Sequence, residues 1–538
     1  MTRYHRSLVL LGSAALLLPT LVVGQGAARS SPRFEVSFPA SVHDEPITGR
    51  VYVALSRDYD GQRTPIAQTG QNGVPVFAIN VSQIAPGQPV VIDESATGYP
   101  VRQPGDIPAG TYWAEPFVNI YTEFNRADGH TVWMHMDQWE GQNWKRSPGN
   151  LHGTPVQITF DPDSPTPIRL VADQVIPPIE IPADDEYVKR FRIQSALLTK
   201  WWGHPIYLGA TVLLPRGYAE HPDVRYPVVY SHGHFSLRAP GGGATAAWLG
   251  DSTPRVILVT LQHPSPFYDD SYAVNSPNQG PYDDAIMQEL IPEVERRFRV
   301  IGEPWARLLT GGSTGGWISL AQQIFHPEFY GGTWSLCPDA VDFRYHQIVN
   351  IYSDTNAYWI DHGWMKVDRP DVRRPDGNIA AMMKDENWYE LTVGDRSRSG
   401  GQWDIWEAAY GPVGDDGYPR RIWDKETGVI DHETAQYWKE HFDLRELLER
   451  NWSTLGPRLY DKLNVYVGDA DSYYLNNAVH LLDDFLSRTT SPRWTGEIVY
   501  QPRAPHCWGP PLPELLQKMA AHMERSAPAG ADTKRWRY

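Results

Sequence analysis

Ser313 stands among glycines in the run Leu308-Leu-Thr-Gly-Gly-Ser-Thr-Gly-Gly316, which supplies the spacing Gly311-x-Ser313-x-Gly315. A serine hydroxyl is a weak nucleophile until a base removes its proton in the transition state. Glycines at these positions suit a tight strand-to-helix turn, where a Cβ would clash and the serine is held in strained backbone geometry. An apolar strand-like run precedes the motif and a helical segment follows it, which is the placement a nucleophile elbow requires. In that arrangement an acid and then a histidine follow along the chain. The run Val465-Tyr-Val-Gly-Asp-Ala-Asp471 ends with a carboxylate in the loop after a strand, and Gln501-Pro-Arg-Ala-Pro-His-Cys-Trp508 presents His506 after the last strand. The pattern assigns Ser313 as nucleophile, His506 as general base and then acid, and Asp471 as the group that orients the imidazole and stabilises its charged form. Asp469 and Asp339 stand as alternatives to Asp471.

Acyl transfer also needs hydrogen-bond donors where an oxyanion develops. The backbone N–H of Thr314 is one by the geometry of an elbow. The turn in Val229-Tyr-Ser-His-Gly-His-Phe235 offers the N–H of His234 as the second, the plainer alternative being a turn that only ends a strand. The two cysteines, Cys337 and Cys507, both fall near the rim of this site. In an exported protein they would pair as a disulfide, and otherwise they are two small buried thiols.

The elements that must position these groups are legible as a change of pattern along the chain. From 32 to 184, short alternating runs such as Gly49–Leu55, Val76–Asn80, Thr131–His135 and Val156–Phe160 are divided by Gly, Pro, Asn and Asp, which predicts a β-sandwich. The Pro-rich stretch Ile176–Pro182 cannot be helical and marks a boundary. From 185 onward, continuous apolar runs at Pro227–Tyr230 and Val256–Leu261 read as strands covered on both faces. Segments with four-residue apolar spacing, such as Pro281–Arg299, read as helices. That alternation predicts a mainly parallel sheet with helices on both faces. An insertion at about 340–460 interrupts it and carries eight of the 21 tryptophans. It falls where parallel sheets bind ligands and is expected to form a cap, the alternative being a surface subdomain with its own aromatic core.

The 538 residues carry 48 Lys and Arg against 64 Asp and Glu, a net charge of −16 with no basic patch, so a nucleic-acid partner is not expected. Two cysteines are too few for a zinc ribbon. Arg3, His5 and Arg6 precede an apolar run from Leu8 to Val23, with small residues following, which is the layout of a signal peptide over 1–24. The mature chain is then expected to be secreted or periplasmic and to lack a membrane partner.

From about Tyr187 the chain resembles the α/β-hydrolase superfamily, in particular the esterase branch with feruloyl esterases, esterase D and enterochelin esterases. The resemblance is carried by Tyr226-Pro-Val-Val-Tyr-Ser-His-Gly233, the segment Pro281–Pro292, Thr310-Gly-Gly-Ser-Thr-Gly-Gly316, Val467-Gly-Asp-Ala-Asp471 and His506-Cys-Trp508. It implies an α/β-hydrolase fold over 185–538 and a serine hydrolase acting on carboxylic esters, small or polymer-linked, without cofactor or metal. A leading β-sandwich is similar to that of enterochelin and cellulosomal feruloyl esterases. Two departures leave the substrate open: Ser313 has the small neighbours Gly312 and Thr314, and the tryptophan-rich insertion is large. An acyltransferase of the same architecture and a non-catalytic secreted binding protein are the competing expectations.

Overall fold

Apolar runs that must be covered on both faces become adjacent strands of one sheet. A computed structural model describes residues 33–240 and 242–538, so the predicted signal peptide lies outside the described residues. The sheet contains β1 (Val188–Ser195), β2 (Ile206–Leu213), β3 (Val228–His232), β4 (Ile257–Gln262), β5 (Arg307–Gly312), β6 (Gly332–Leu336), β7 (Leu463–Gly468) and β8 (Ile498–Gln501). Their spatial order is β1-β2-β4-β3-β5-β6-β7-β8. The pairs from β4 onward are parallel, and β1 and β2 close one edge in antiparallel register. Val228, Tyr230, Leu308 and Leu309 are wholly buried, as strands sandwiched between helices require.

Helix Thr314–Phe325 follows β5 directly and is buried from Thr314 to Ile324. The helix expected over Pro281–Arg299 is present but not uniform. It runs as Tyr282–Ala285, a π-turn over Ile286–Leu290, and Ile291–Arg297. Pro292 has no N–H for the carbonyl one turn back, and the wider turn lies immediately before it.

The N-terminal part builds two larger sheets and a hairpin of Thr122–Asn125 with Thr131–Met134. Gly110–Ile120 and Ile47–Ser56 are the long central strands of a seven-stranded sheet, while Phe34–Ser37 lies between Ile168–Val171 and Val90–Ile92 in a three-stranded one. Phe34 and Val36 of the small sheet share one apolar core with Val51, Val53 and Leu55 of the large sheet. On the opposite face of Ile47–Ser56, Tyr52 stacks on Trp144 and packs with Val393 of the insertion.

The insertion holds two short hairpins and helices Met383–Val393, Gln402–Tyr410 and His432–His441. The sequence boundary near 460 takes in helix Leu444–Leu459, yet this helix packs on Thr314–Phe325 and Asn476–Leu486. It also packs on His432–His441 of the insertion, and Asp443 caps its first turn. The tryptophans divide by role. Trp423 and Trp438 are buried in the insertion's own core around His346, while Trp364 is fully exposed.

The carbonyls that end helix Met383–Val393 have no partner within the helix. Arg50 Nη2 donates to the Thr392 oxygen at 2.7 Å and Tyr52 Oη to that of Val393 at 2.7 Å, so the large sheet caps the helix from below. A guanidinium there also meets the negative end of the helix dipole. Tyr52→Phe removes one hydrogen bond from a buried carbonyl and is expected to lower stability by about 0.5–1.5 kcal/mol. Arg50→Met is expected to cost more, because several acceptors lose a charged donor together. Urea unfolding of the two variants checks this ranking, and equal midpoints for both variants and the parent would contradict the cap.

Candidate active site

At the end of β5 the chain turns so sharply that the positions two before and two after Ser313 have no room for a side chain. A Cβ on Gly315 would lie 2.0 Å from the His232 carbonyl oxygen, and one on Gly311 would lie 2.3 Å from the Gly315 oxygen. Ser313 itself has φ +57° and ψ −122°, a strained conformation for a residue with a side chain. Its amide donates to the Leu336 oxygen at 3.0 Å, which fixes the turn to β6. Thr314 then begins the buried helix, so the first helical amides lie beside the serine.

His506 and Asp471 meet although 35 residues separate them. His506 Nδ1 and Asp471 Oδ2 are 2.8 Å apart, and Asp471 is fully buried. Asp471 Oδ1 accepts from the amides of Tyr473 at 2.9 Å and Leu475 at 3.3 Å. With Nδ1 committed as donor to the carboxylate, Nε2 is left as the acceptor; it lies 3.4 Å from Cys507 Sγ, and no hydrogen bond joins it to Ser313 Oγ, which faces Asp339. Tyr473 packs edge-on against the imidazole, with centroids 4.8 Å apart. Asp469 turns elsewhere: its side chain accepts from the Arg503 amide at 2.5 Å.

Asp339, the other alternative acid, lies under the serine instead of beside the histidine. Ser313 Oγ donates to Asp339 Oδ1 at 3.3 Å, and Asp339 Oδ2 accepts from Tyr272 Oη at 2.5 Å and Thr314 Oγ1 at 3.3 Å. Gln402 Nε2 reaches the same carboxylate at 3.3 Å, and Trp406 Nε1 donates to Tyr272 Oη at 2.6 Å. Burial raises the Asp339 carboxyl, and these donors oppose that rise. The insertion thus contributes Gln402 and Trp406 to the floor of the site. No sequence motif marks these two positions or Tyr272.

Cys337 and Cys507 form a disulfide, with Cα atoms 4.9 Å apart. It joins the end of β6 to the residue next to His506, and Gly312 leaves room for it, since a Cβ there would lie 3.2 Å from Cys507 Sγ. His234 follows Gly233 in the loop after β3 and lines the cleft. Its backbone N–H donates to no acceptor among the described residues. Its side chain is half exposed, and Nδ1 lies 3.1 Å from Asp269 Oδ1. His234, Asp269 and Asp270 bring three potential ligand atoms within 4.8 Å of one another, but Nδ1 is already engaged by Asp269.

These residues open onto one cleft of about 530 Å³. Ser313, His234 and His506 come from the α/β domain, Gln71 comes from the N-terminal sheets, and Trp403 and Trp406 come from the insertion. Among the described residues, no helix is long and apolar enough to cross a membrane.

Burial alone would lower the His234 imidazole, but the hydrogen bond and charge of Asp269, with Asp270 and Asp339 behind, raise it from 6.5 to about 9. A folded pKa above the unfolded one stabilises the protein fully below about pH 6.5, and that gain is lost as pH rises through about 9. Asp269→Asn is expected to lower stability relative to the parent below pH 6.5, with the two converging above pH 9. Thermal unfolding of both proteins across this range checks it, and a difference independent of pH would contradict the pairing.

Residues 207–404 match the model of the family described as "Putative esterase". A comparison with curated proteins finds no match. Among solved structures the chain is similar to a ferulic acid esterase, at 14% identity over 63% of this chain and 97% of that one, with a TM-score of 0.35. It is also similar to an S-formylglutathione hydrolase from Agrobacterium tumefaciens, at 14% identity over 62% and 94%, with a TM-score of 0.33. An IroE-like serine hydrolase from Shewanella oneidensis shows 12% identity over 63% and 79%, with a TM-score of 0.31. The matched segment contains β3 to β6 and the Ser313 turn, and it is this segment of the chain that is similar to the esterase family.

Proposed function

We propose that the chain is an exported esterase that works through an acyl-enzyme intermediate on Ser313. The Asp471–His506 hydrogen bond of 2.8 Å carries this reading, because it leaves Nε2 as a base in the cleft that Ser313 enters from its strained turn. The Ser313 hydroxyl turns from Asp339 to Nε2 as it attacks the ester carbonyl, and the proton passes to His506. Asp471 holds the imidazole in register and stabilises the imidazolium. The amides of Thr314 and His234 receive the oxyanion. His506 then returns the proton to the departing alcohol, and water, activated by the same imidazole, releases the acid.

The N-terminal sheets act as a β-sandwich that carries Gln71 to the cleft, and the insertion acts as a cap whose Trp403 and Trp406 form an apolar wall. Export is supported by the charged-then-apolar sequence over 1–24 and by the Cys337–Cys507 pair, which suits an oxidising compartment. The substrate is a small or polymer-linked carboxylic ester.

Ser313→Ala tests the mechanism on a short aryl ester. The expected loss in kcat is about 10⁴- to 10⁶-fold with an unchanged unfolding midpoint, together with loss of labelling by a fluorophosphonate. Full turnover by a folded variant would exclude Ser313 as the nucleophile.

A further inference from the structure

The cleft that Ser313 enters has a second polar wall, which the reaction leaves unused. Asp371, from the hairpin strand Pro370–Arg373, and Glu386, from helix Met383–Val393, line it together with Gln347 and Gln71. Asp371 and Gln347 are each only 3% exposed. Gln71 Nε2 donates to Asp371 Oδ2 at 3.3 Å. The buried atoms left without a partner on this wall are Asp371 Oδ1, Glu386 Oε2 and Gln347 Oε1, and all three are acceptors.

Among the described residues no ion pair answers them: the basic side chains that line the cleft are engaged elsewhere, His234 by Asp269 and His506 by Asp471. Lysine and arginine are absent from the residues that line the cleft. Lys425 is committed to Glu390, at 3.0 Å, and to Asp404. Arg373, two residues from Asp371, is committed to the Asp471 carbonyl at 2.9 Å and to Asn476 Oδ1 at 3.1 Å. Burial pushes the Asp371 carboxyl up to about 7. Burial, then Asp371 and Glu390, raise Glu386 well above the usual carboxylate range. Buried carboxylates are ordinarily paired with a cation. A sugar hydroxyl both donates and accepts, whereas a primary ammonium only donates and has three N–H groups.

We propose that this wall is a subsite for a protonated amine, in which Asp371, Glu386 and the Gln347 carbonyl receive the N–H groups of an ester substrate bearing a cationic head. The distance from ammonium to scissile carbonyl is fixed, because Arg373 ties the Asp371 hairpin to the loop of Asp471: its amide donates to the Ser472 oxygen at 2.9 Å, in addition to the bond to the Asp471 carbonyl. Tyr473, which packs on His506, bridges the two walls: burial raises its phenol first, followed by Asp371 and Glu386, then Asp471.

The substrate role rests on Ser313 being the nucleophile, but ammonium binding does not, and the test separates them. Ethyl esters of ω-amino acids of increasing chain length are titrated calorimetrically into the Ser313→Ala protein, beside the ω-methyl and ω-hydroxy esters of equal length. At one preferred length the amino ester is expected to bind at least about tenfold more tightly than its methyl counterpart. Adding Asp371→Asn or Glu386→Gln is expected to erase that preference, and the parent enzyme is expected to show a lower KM for the amino ester at the same length. Equal binding of amino and methyl esters at every length would mean that Asp371 and Glu386 only share a proton, and would overturn the subsite. Preference for the hydroxy esters would overturn it in favour of a sugar-like ligand. The parent protein alone decides these outcomes if a variant fails to fold. Selective amine binding without turnover of any ester would leave the subsite standing and remove Ser313 as nucleophile.

Discussion

Contact between backbone and backbone at Gly315 governs where the chemistry can occur. The carbonyl of His232 at the end of β3 lies where a Cβ on Gly315 would have to be, and the carbonyl of Gly315 stands equally close to Gly311. With no side chains between them, the ends of β3 and β5 and the start of the following helix converge at Ser313. A non-glycine residue at positive φ costs about 1–3 kcal/mol unless the surroundings impose it. Here the helix that begins at Thr314 is buried along almost its whole length and cannot relax without disrupting the sheet it covers. The strain is therefore paid for by the core. Its result is a part-buried hydroxyl at the cleft beside the first amides of a helix, which is an environment suited to developing negative charge.

The rest of the cleft depends on ties between distant segments. The Cys337–Cys507 bond holds the loop of His506 to the strand beside the elbow. Arg373 holds the insertion's hairpin to the loop of Asp471, and Arg50 with Tyr52 fixes the C-terminal end of the helix that carries Glu386. The first tie is covalent; each of the others joins a donor to an acceptor that folding would otherwise leave unpaired, so breaking it costs more than one average hydrogen bond. Gln71 reaches the same cleft from the N-terminal sheets. The site is composite because its walls are anchored to three different parts of the chain.

Much of the α/β scaffold was legible because burial on both faces of a parallel sheet demands uninterrupted apolar runs, as at Val228–Tyr230 and Ile257–Leu261. The elbow was legible because steric exclusion leaves only glycine at 311 and 315. Choosing among acids was harder. Asp469 and Asp471 occupy the same loop and differ by two positions, and it is the local turn that separates them: Asp471 gathers the amides of Tyr473 and Leu475 and faces His506, whereas Asp469 faces Arg503. The position of Asp339 under the Ser313 hydroxyl depends on how the chain leaves β6, which no periodicity encodes. The division of the tryptophans was equally hidden. Trp438 fills a core and Trp406 donates into the active-site floor, a difference set by what each helix packs against.

Buried charge separates the insertion into two parts with opposite behaviour. Around Lys425, the carboxylates of Glu390 and Asp404 receive the ammonium directly, and Glu407 accepts from Ser397 at 2.7 Å. The ammonium remains charged in spite of burial because these acids outweigh the loss of water. Removing Lys425 would strand several acids at once, which makes this cluster a fixed internal support. Among the described residues Asp371 and Glu386 form no ion pair, although Glu386 shares a helix with Glu390 and feels the Lys425 charge at a distance. A chain that can satisfy one acidic cluster internally and leaves the adjacent one facing a cleft has uncompensated acceptors where a ligand enters. Ser313 and His506 come from the α/β domain, while the charge that would select a ligand comes from the insertion. Arg373 couples the two, so a cationic head held at Asp371 would fix the orientation of an ester with respect to Ser313 without any contact to the reacting atoms.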